Sequence, residues 1–152
     1  MGTDQRQVKS QSGTTKEGGE KPREFDLEDR LINFAVRVST VVEALPNTRA
    51  GNHVAGQLVR CGTSSPANYA EAQSAESRND FIHKMKICLK ELRETRVWLL
   101  IIQRKPLIKP PHKLGPLLTE CNELIAIFVK SIATAQKNKG LRNVEHRTRN
   151  DE

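Results

Sequence analysis

Aromatic residues are scarce in this chain of 152 residues, which has one Trp, one Tyr and four Phe, or 4% of the sequence. β-Sandwiches and β-barrels draw on aromatic and β-branched residues at short, regular spacing, so this composition argues against an all-β fold. Long apolar runs are also missing. None exceeds six residues, whereas a membrane-spanning helix needs roughly 20. We therefore expect no transmembrane helix, and the polar start of the chain predicts no secretory signal.

Cysteines and metal-ligand patterns are few. Cys61, Cys88 and Cys121 lie far apart with no CxxC spacing, which favours reduced core thiols in a cytoplasmic protein over a disulfide framework or a zinc site. No Glu has a His three positions later, as a di-iron carboxylate bundle requires. Phosphate-binding loops, dinucleotide fingerprints and nucleophile elbows are missing too. We expect no metal, no cofactor, no small-molecule substrate and no enzymatic activity.

Apolar residues recur at steps of three and four in four separate stretches, which is the spacing of one helix face. The first stretch follows Asp26, a candidate N-cap, and ends before Pro46. The second follows Asn47 or Thr48, and the third opens at Ser77 with a sequence resembling a capping box. The fourth begins at a Gly-Pro pair at residues 115–116. Short loops between such helices predict an all-α, antiparallel up-down-up-down four-helix bundle.

The bundle should occupy residues 25–138. Residues 1–24 and 139–152 are polar and have few apolar side chains to bury. Segments of this composition do not recover the entropy lost on ordering, so we expect a disordered N-terminal tail and a disordered, basic C-terminal tail.

The apolar run at residues 97–102 surrounds the whole circumference of the third helix. The bundle core can bury only one side of it, so the other side must contact something, most economically a second copy of the chain. This predicts a homo-oligomer whose interface includes Val97, Trp98, Leu100 and Ile101. The alternative is that long neighbouring side chains within the same subunit cover the run.

Positive charge predominates, with a formal net charge of +7 and a pI of about 9.6. An excess of this kind favours polyanionic partners such as RNA. The third helical stretch holds eight of the basic residues and only three acidic ones, so it should bind phosphates without reading base sequence. For a single copy the favoured alternative is a solvated face neutralised by pairs within the helix, such as Asp80–Lys84 and Lys90–Glu94. Symmetric repetition in an oligomer would multiply the field and favour polyanion binding. The candidate nucleic-acid-binding residues are Lys84, Lys86, Lys90, Arg93 and Arg96.

One enzymatic pattern is present at Arg78 and His83. It resembles the Arg-x4–6-His motif of HEPN-fold ribonucleases, which are also all-helical. In such an enzyme the His would transfer a proton and the Arg would stabilise phosphate charge, without a metal ion. The alternative to a non-enzymatic protein is therefore a ribonuclease that uses these two residues, or else a purely structural assembly protein.

Two blocks carry a close resemblance to a known family: residues 62–72 (GTSSPANYAEA) and residues 80–95 (DFIHKMKICLKELRET). They resemble bacterial four-helix-bundle proteins that are often encoded inside intervening sequences of 23S ribosomal RNA genes. The resemblance covers about residues 25–138. It implies a small cytoplasmic homopentamer, distantly similar to accessory proteins of diversity-generating retroelements, which bind nucleic acid and a reverse transcriptase. The link to ribosomal RNA is one of gene location.

Four polar residues within these blocks stand in pairs one helical turn apart. Asn68 and Glu71 belong to the second helix, and Glu91 and Glu94 belong to the third. We expect some of them to pair with Arg side chains or backbone groups between helices, since an unpaired buried carboxylate is costly. A catalytic carboxylate cluster is the alternative, but it would lack His or metal-ligand partners.

Overall fold

The computed structural model describes residues 24–150, which form four α-helices and one short 3-10 helix. The helices are α1 (Glu24–Ala44), α2 (Arg49–Gln73), α3 (Arg78–Arg104) and α4 (Gly115–Asn150), and the 3-10 turn Pro111–Leu114 precedes α4. The described residues include no β-strand. The predicted all-α four-helix bundle is confirmed. None of the described helices combines the length and the apolar character needed to cross a membrane.

Local capping fixes where two of the helices begin. The Thr48 hydroxyl accepts a hydrogen bond from the Gly51 amide at 3.0 Å, and the Ser77 hydroxyl accepts one from the Asp80 amide at 3.1 Å. Each bond satisfies a first-turn N–H that has no partner within the helix. Both caps agree with the sequence prediction. At α1 the predicted N-cap was wrong, because the helix begins at Glu24 and already contains Asp26.

The core lies where the apolar stripes of the four helices meet. Tyr69 of α2 and Phe128 of α4 pack edge to face with ring centroids 6.0 Å apart, a favoured aromatic geometry. Antiparallel packing of α2 and α3 is clear from two contacts at opposite ends, Glu71 with Lys84 and His53 with Trp98. The largest fully buried side chains are those of Phe34, Phe128, Leu31, Leu58, Met85, Leu92, Leu99, Ile102, Leu124, Val38, Thr95 and Cys61.

The close approach of α1 and α2 depends on a glycine. A Cβ atom placed on Gly62 would lie 2.4 Å from Val38 Cγ1 and 3.2 Å from Val38 Cβ. Interiors are packed to crystal-like density, so no room exists here for a side chain. The run of small residues in α2 therefore brings the two helices together at this point.

The C-terminal boundary differs from the prediction. Residues 139–150, expected as part of a disordered tail, continue α4, and Gly140 lies inside the helix with no positive φ. Leu141 and Val144 are 57% and 61% exposed, so this segment is helical without joining the core. Its Lys, Arg, Leu and Glu residues are strong helix formers, and they extend a helix that the core has already nucleated. Residues 1–23 and 151–152 lie outside the described residues, and the predicted N-terminal tail stays a prediction.

Candidate nucleic-acid interface

Three cations occupy the face of α3 that points away from the core. Lys86, Lys90 and Arg93 are all exposed, and their steps of four and three place them on one stripe of the helix. Within the described part of the chain, none of them forms an ion pair. The Lys90–Glu94 pair is not formed among the described residues, and Glu94 accepts a hydrogen bond from Trp98 Nε1 at 3.5 Å. The stripe therefore keeps its full positive charge.

The other two candidate cations lie to the sides of this stripe. Lys84 Nζ donates to Glu71 Oε2 at 2.6 Å and so joins α3 to α2. The hydrogen bond and charge of Glu71 raise the pKa of Lys84 above its ordinary value. Arg96 Nε donates to Asn122 Oδ1 of α4 at 2.9 Å. We therefore reduce the five-residue set to three, because Lys84 is neutralised by a carboxylate and Arg96 is held against α4.

The apolar end of α3 divides in the same way. Val97 and Ile101 are 51% and 40% exposed, whereas Trp98 and Leu100 are half-buried and pack against the core. The Trp98 ring also meets the His53 ring of α2 edge to face, with centroids 5.7 Å apart. Neighbouring side chains thus cover part of the run, and the uncovered surface reduces to Val97 and Ile101.

These apolar residues continue the cationic stripe. Starting from Lys86, successive steps of four, three, four and four residues lead through Lys90 and Arg93 to Val97 and Ile101, all of them exposed. We call this set the α3 outer face. One half of the face is cationic and the other half apolar. A contact between copies at the apolar half would therefore place the cations of both copies beside it.

Of the four polar residues expected to fix the bundle, only Glu71 reaches another helix, through Lys84. The Asn68 side chain donates to the Ser64 carbonyl of its own helix at 3.1 Å. The Glu94 carboxylate accepts a hydrogen bond from Trp98 within α3. The backbone carbonyl of Glu91 accepts one from the Thr95 hydroxyl at 2.7 Å. These three contacts stabilise single helices and do not join two.

Sequence reasoning missed the ion pairs that join α1 to α4. Arg30 Nε donates to Glu120 Oε1 at 3.0 Å, and Arg30 Nη2 lies 2.9 Å from Glu123 Oε2. One guanidinium therefore binds two carboxylates, a geometry that suits its planar set of donors. Nothing in the local sequence pairs residues 90 or more positions apart, so only the tertiary structure reveals this contact.

Arg78 and His83 do not share a face. They are five positions apart in the sequence, which places them about 140° apart around the helix axis. His83 is exposed, whereas Arg78 is half-buried and lines a cavity that His83 does not reach. The structure therefore does not bring the two groups of the ribonuclease pattern together in one site.

The three cysteines are free and buried, as predicted. Burial raises the pKa of Cys88 and of Cys121 to about 12, and it also raises the pKa of Cys61. Such thiols stay protonated at neutral pH, and a protonated thiol is a poor nucleophile and a poor metal ligand. Among the described residues, no group of His, Cys, Asp and Glu is arranged to hold a metal ion.

Comparisons with known proteins agree with this architecture. The family model described as 23S rRNA-intervening sequence protein matches residues 23–130. A crystal structure of a protein of unknown function from the S23 ribosomal protein family of Bacteroides thetaiotaomicron VPI-5482 is similar, with a TM-score of 0.65 and 33% sequence identity over 70% of this chain and 97% of that one. The comparison with curated proteins finds no match. Since the family model spans more than half of the sequence, the chain belongs to the 23S rRNA-intervening sequence protein family.

Proposed function

We propose that this protein is a non-enzymatic RNA-binding protein that acts as a homo-oligomer in the cytoplasm. The observation that carries the proposal is the α3 outer face, where three cations without carboxylate partners lead directly into exposed apolar residues. The cations would neutralise phosphates, and the apolar residues would join copies of the chain. The resemblance implies a pentamer as the assembly.

The number of phosphates that one subunit neutralises follows from the length of the cationic half. Lys86 and Arg93 are seven residues apart in sequence, or about 10 Å along the helix axis. The cations Lys86, Lys90 and Arg93 would displace counterions from about three phosphates of a single strand. The logarithm of the binding constant should then fall with the logarithm of salt concentration with a slope near −2 per subunit engaged, at about −0.7 per phosphate.

Titration of labelled 23S ribosomal RNA fragments with the full chain, followed by fluorescence anisotropy at several salt concentrations, tests the RNA interface. We expect the triple variant Lys86→Gln, Lys90→Gln, Arg93→Gln to lose most of its affinity and of its salt slope. The matched control replaces three exposed lysines away from the α3 outer face, Lys109, Lys113 and Lys137. Equal losses in the two triple variants would show that net charge acts without an interface and would contradict the proposal.

Light scattering tests the association between copies. We expect Val97→Ser with Ile101→Ser to lower the molar mass of the particle and to weaken RNA binding, since fewer cations would then act together. Val36→Ser is the control, because Val36 is an exposed valine on α1, away from the α3 outer face. A wild-type chain that runs as a monomer at all concentrations would eliminate the oligomer from the proposal.

The same RNA samples distinguish the alternative functions. If the wild-type chain cleaves the RNA and His83→Ala does not, the protein is a ribonuclease and not only a binding protein. Failure of the wild-type chain to bind RNA near physiological salt would leave a structural assembly protein.

A further inference from the structure

A second cationic site lies at the end of the bundle where α2 turns into α3. A cavity of about 660 Å³ opens there between the turn, the first residues of α3 and the C-terminal part of α4. Its lining includes three basic side chains, Arg78, Lys130 and Arg142, and one acidic side chain, Glu76. The lining therefore carries a net positive charge, which attracts anions.

The three cations have no carboxylate partner within the described residues. Elsewhere in the bundle Arg30 and Lys84 are paired with glutamates. An anion bound between Arg78 and Arg142 would supply the charged partner that these two side chains lack. Arginine and lysine in such a group are the residues that bind phosphate.

The rest of the lining suits more than an inorganic anion. Phe81 is half-buried and presents aromatic surface next to the cations, and Ala135 gives a buried apolar floor. Ser131, Thr134 and Asn138 add neutral hydrogen-bonding groups. The volume falls within the range of about 300–1,000 Å³ typical of small-ligand sites. An aromatic ring beside a phosphate-binding group is the combination on which a nucleotide base stacks.

We infer that this cavity binds a nucleoside monophosphate unit, with its phosphate against Arg78 and Arg142 and its base against Phe81; Lys130, twelve residues before Arg142 on α4 and so about 18 Å away along the axis, lies at the other end of the cavity. The site is separate from the α3 outer face, and it does not depend on the function proposed above. Part of it lies beyond the residues that the family model matches, which end at residue 130. Arg142 belongs to the helical extension of α4, so the unexpected length of that helix completes the site.

Calorimetric titration of the full chain with AMP tests the inference, with inorganic phosphate and adenosine as the two halves of the ligand. We expect AMP to bind more tightly than either half. Arg142→Gln should weaken AMP binding at least about fivefold, as expected for loss of a hydrogen bond to a charged group, and Lys130→Gln, at the other end of the cavity, should weaken it less. Both side chains are exposed, so the variants should fold normally. Phe81→Leu should weaken AMP binding and leave phosphate binding unchanged.

Two controls separate this site from the RNA interface. Lys105→Gln, at the opposite end of α3, should bind AMP as the wild type does, and so should the triple variant of Lys86, Lys90 and Arg93. In that triple variant, a short 5′-phosphorylated RNA that binds more tightly than AMP would assign the cavity to an RNA end, and the reverse order would assign it to a free nucleotide. Failure of AMP to bind at millimolar concentration, or equal affinity for AMP and phosphate, would overturn the inference.

Discussion

Replacement by alanine should have opposite effects on stability at two glycines of α2. Gly62 faces α1, where a new Cβ would lie 2.4 Å from Val38 Cγ1. Gly56 is six residues earlier in the same helix, and a Cβ there would meet nothing within 4 Å. Gly62→Ala therefore introduces a steric clash, whereas Gly56→Ala introduces none.

The magnitudes follow from two opposing contributions. Alanine in place of glycine inside a helix stabilises it by about 1 kcal/mol, and Gly56→Ala should show that gain. Gly62→Ala gains the same amount but forces extra volume into a packed core, which costs about 1–3 kcal/mol. The upper part of that range applies because Val38 is fully buried and its β-branched side chain has one strongly preferred rotamer. We expect Gly62→Ala to lower the free energy of unfolding by about 2 kcal/mol, about 3 kcal/mol below Gly56→Ala.

Urea unfolding at one fixed protein concentration measures both values, since association would make the stability depend on concentration. In a Val38→Ala background the clash disappears, so Gly62→Ala should then cost much less. A coupling energy of about 1–2 kcal/mol between the two positions would report the contact. Equal stabilities for Gly56→Ala and Gly62→Ala would refute the packing argument at this helix crossing.

Two further predictions concern buried polar groups. The Ser65 hydroxyl is buried with no hydrogen-bond partner among the described residues, so Ser65→Ala should raise the free energy of unfolding by about 1 kcal/mol. Thr95→Val removes a buried hydroxyl that does donate a hydrogen bond and should give no such gain; a loss of stability in Ser65→Ala would contradict the prediction. The second prediction is that stability falls at alkaline pH. Burial raises the pKa of Cys88 and of Cys121 to about 12 in the folded protein, whereas thiols of the unfolded chain ionise near pH 8.5. The unfolded state thus loses protons first, and stability should be full below about pH 8.5 and fall by about 1.4 kcal/mol per thiol per pH unit towards pH 12. Urea midpoints between pH 8 and 10 check the slope, which Cys88→Ala with Cys121→Ala should flatten; a pH-independent midpoint in the wild type would disprove it.

The candidate interface could be predicted only in part. The sequence correctly places basic residues along α3, because helical spacing alone puts Lys86, Lys90 and Arg93 on one stripe. It could not separate Lys84 from them, since the partner that neutralises Lys84 belongs to a different helix. The same limit applies to Trp98, which is partly covered by His53 of α2.

Apolar periodicity and capping residues determined the four helices, their order and the starts of α2 and α3. These features depend on neighbours within a few positions, so the sequence displays them directly. The tertiary structure decided which charges remain unpaired and which residues surround the cavity at the α2–α3 turn. Those properties depend on side chains that are distant in sequence and meet only when the helices pack, as Arg78 and Arg142 do at the cavity.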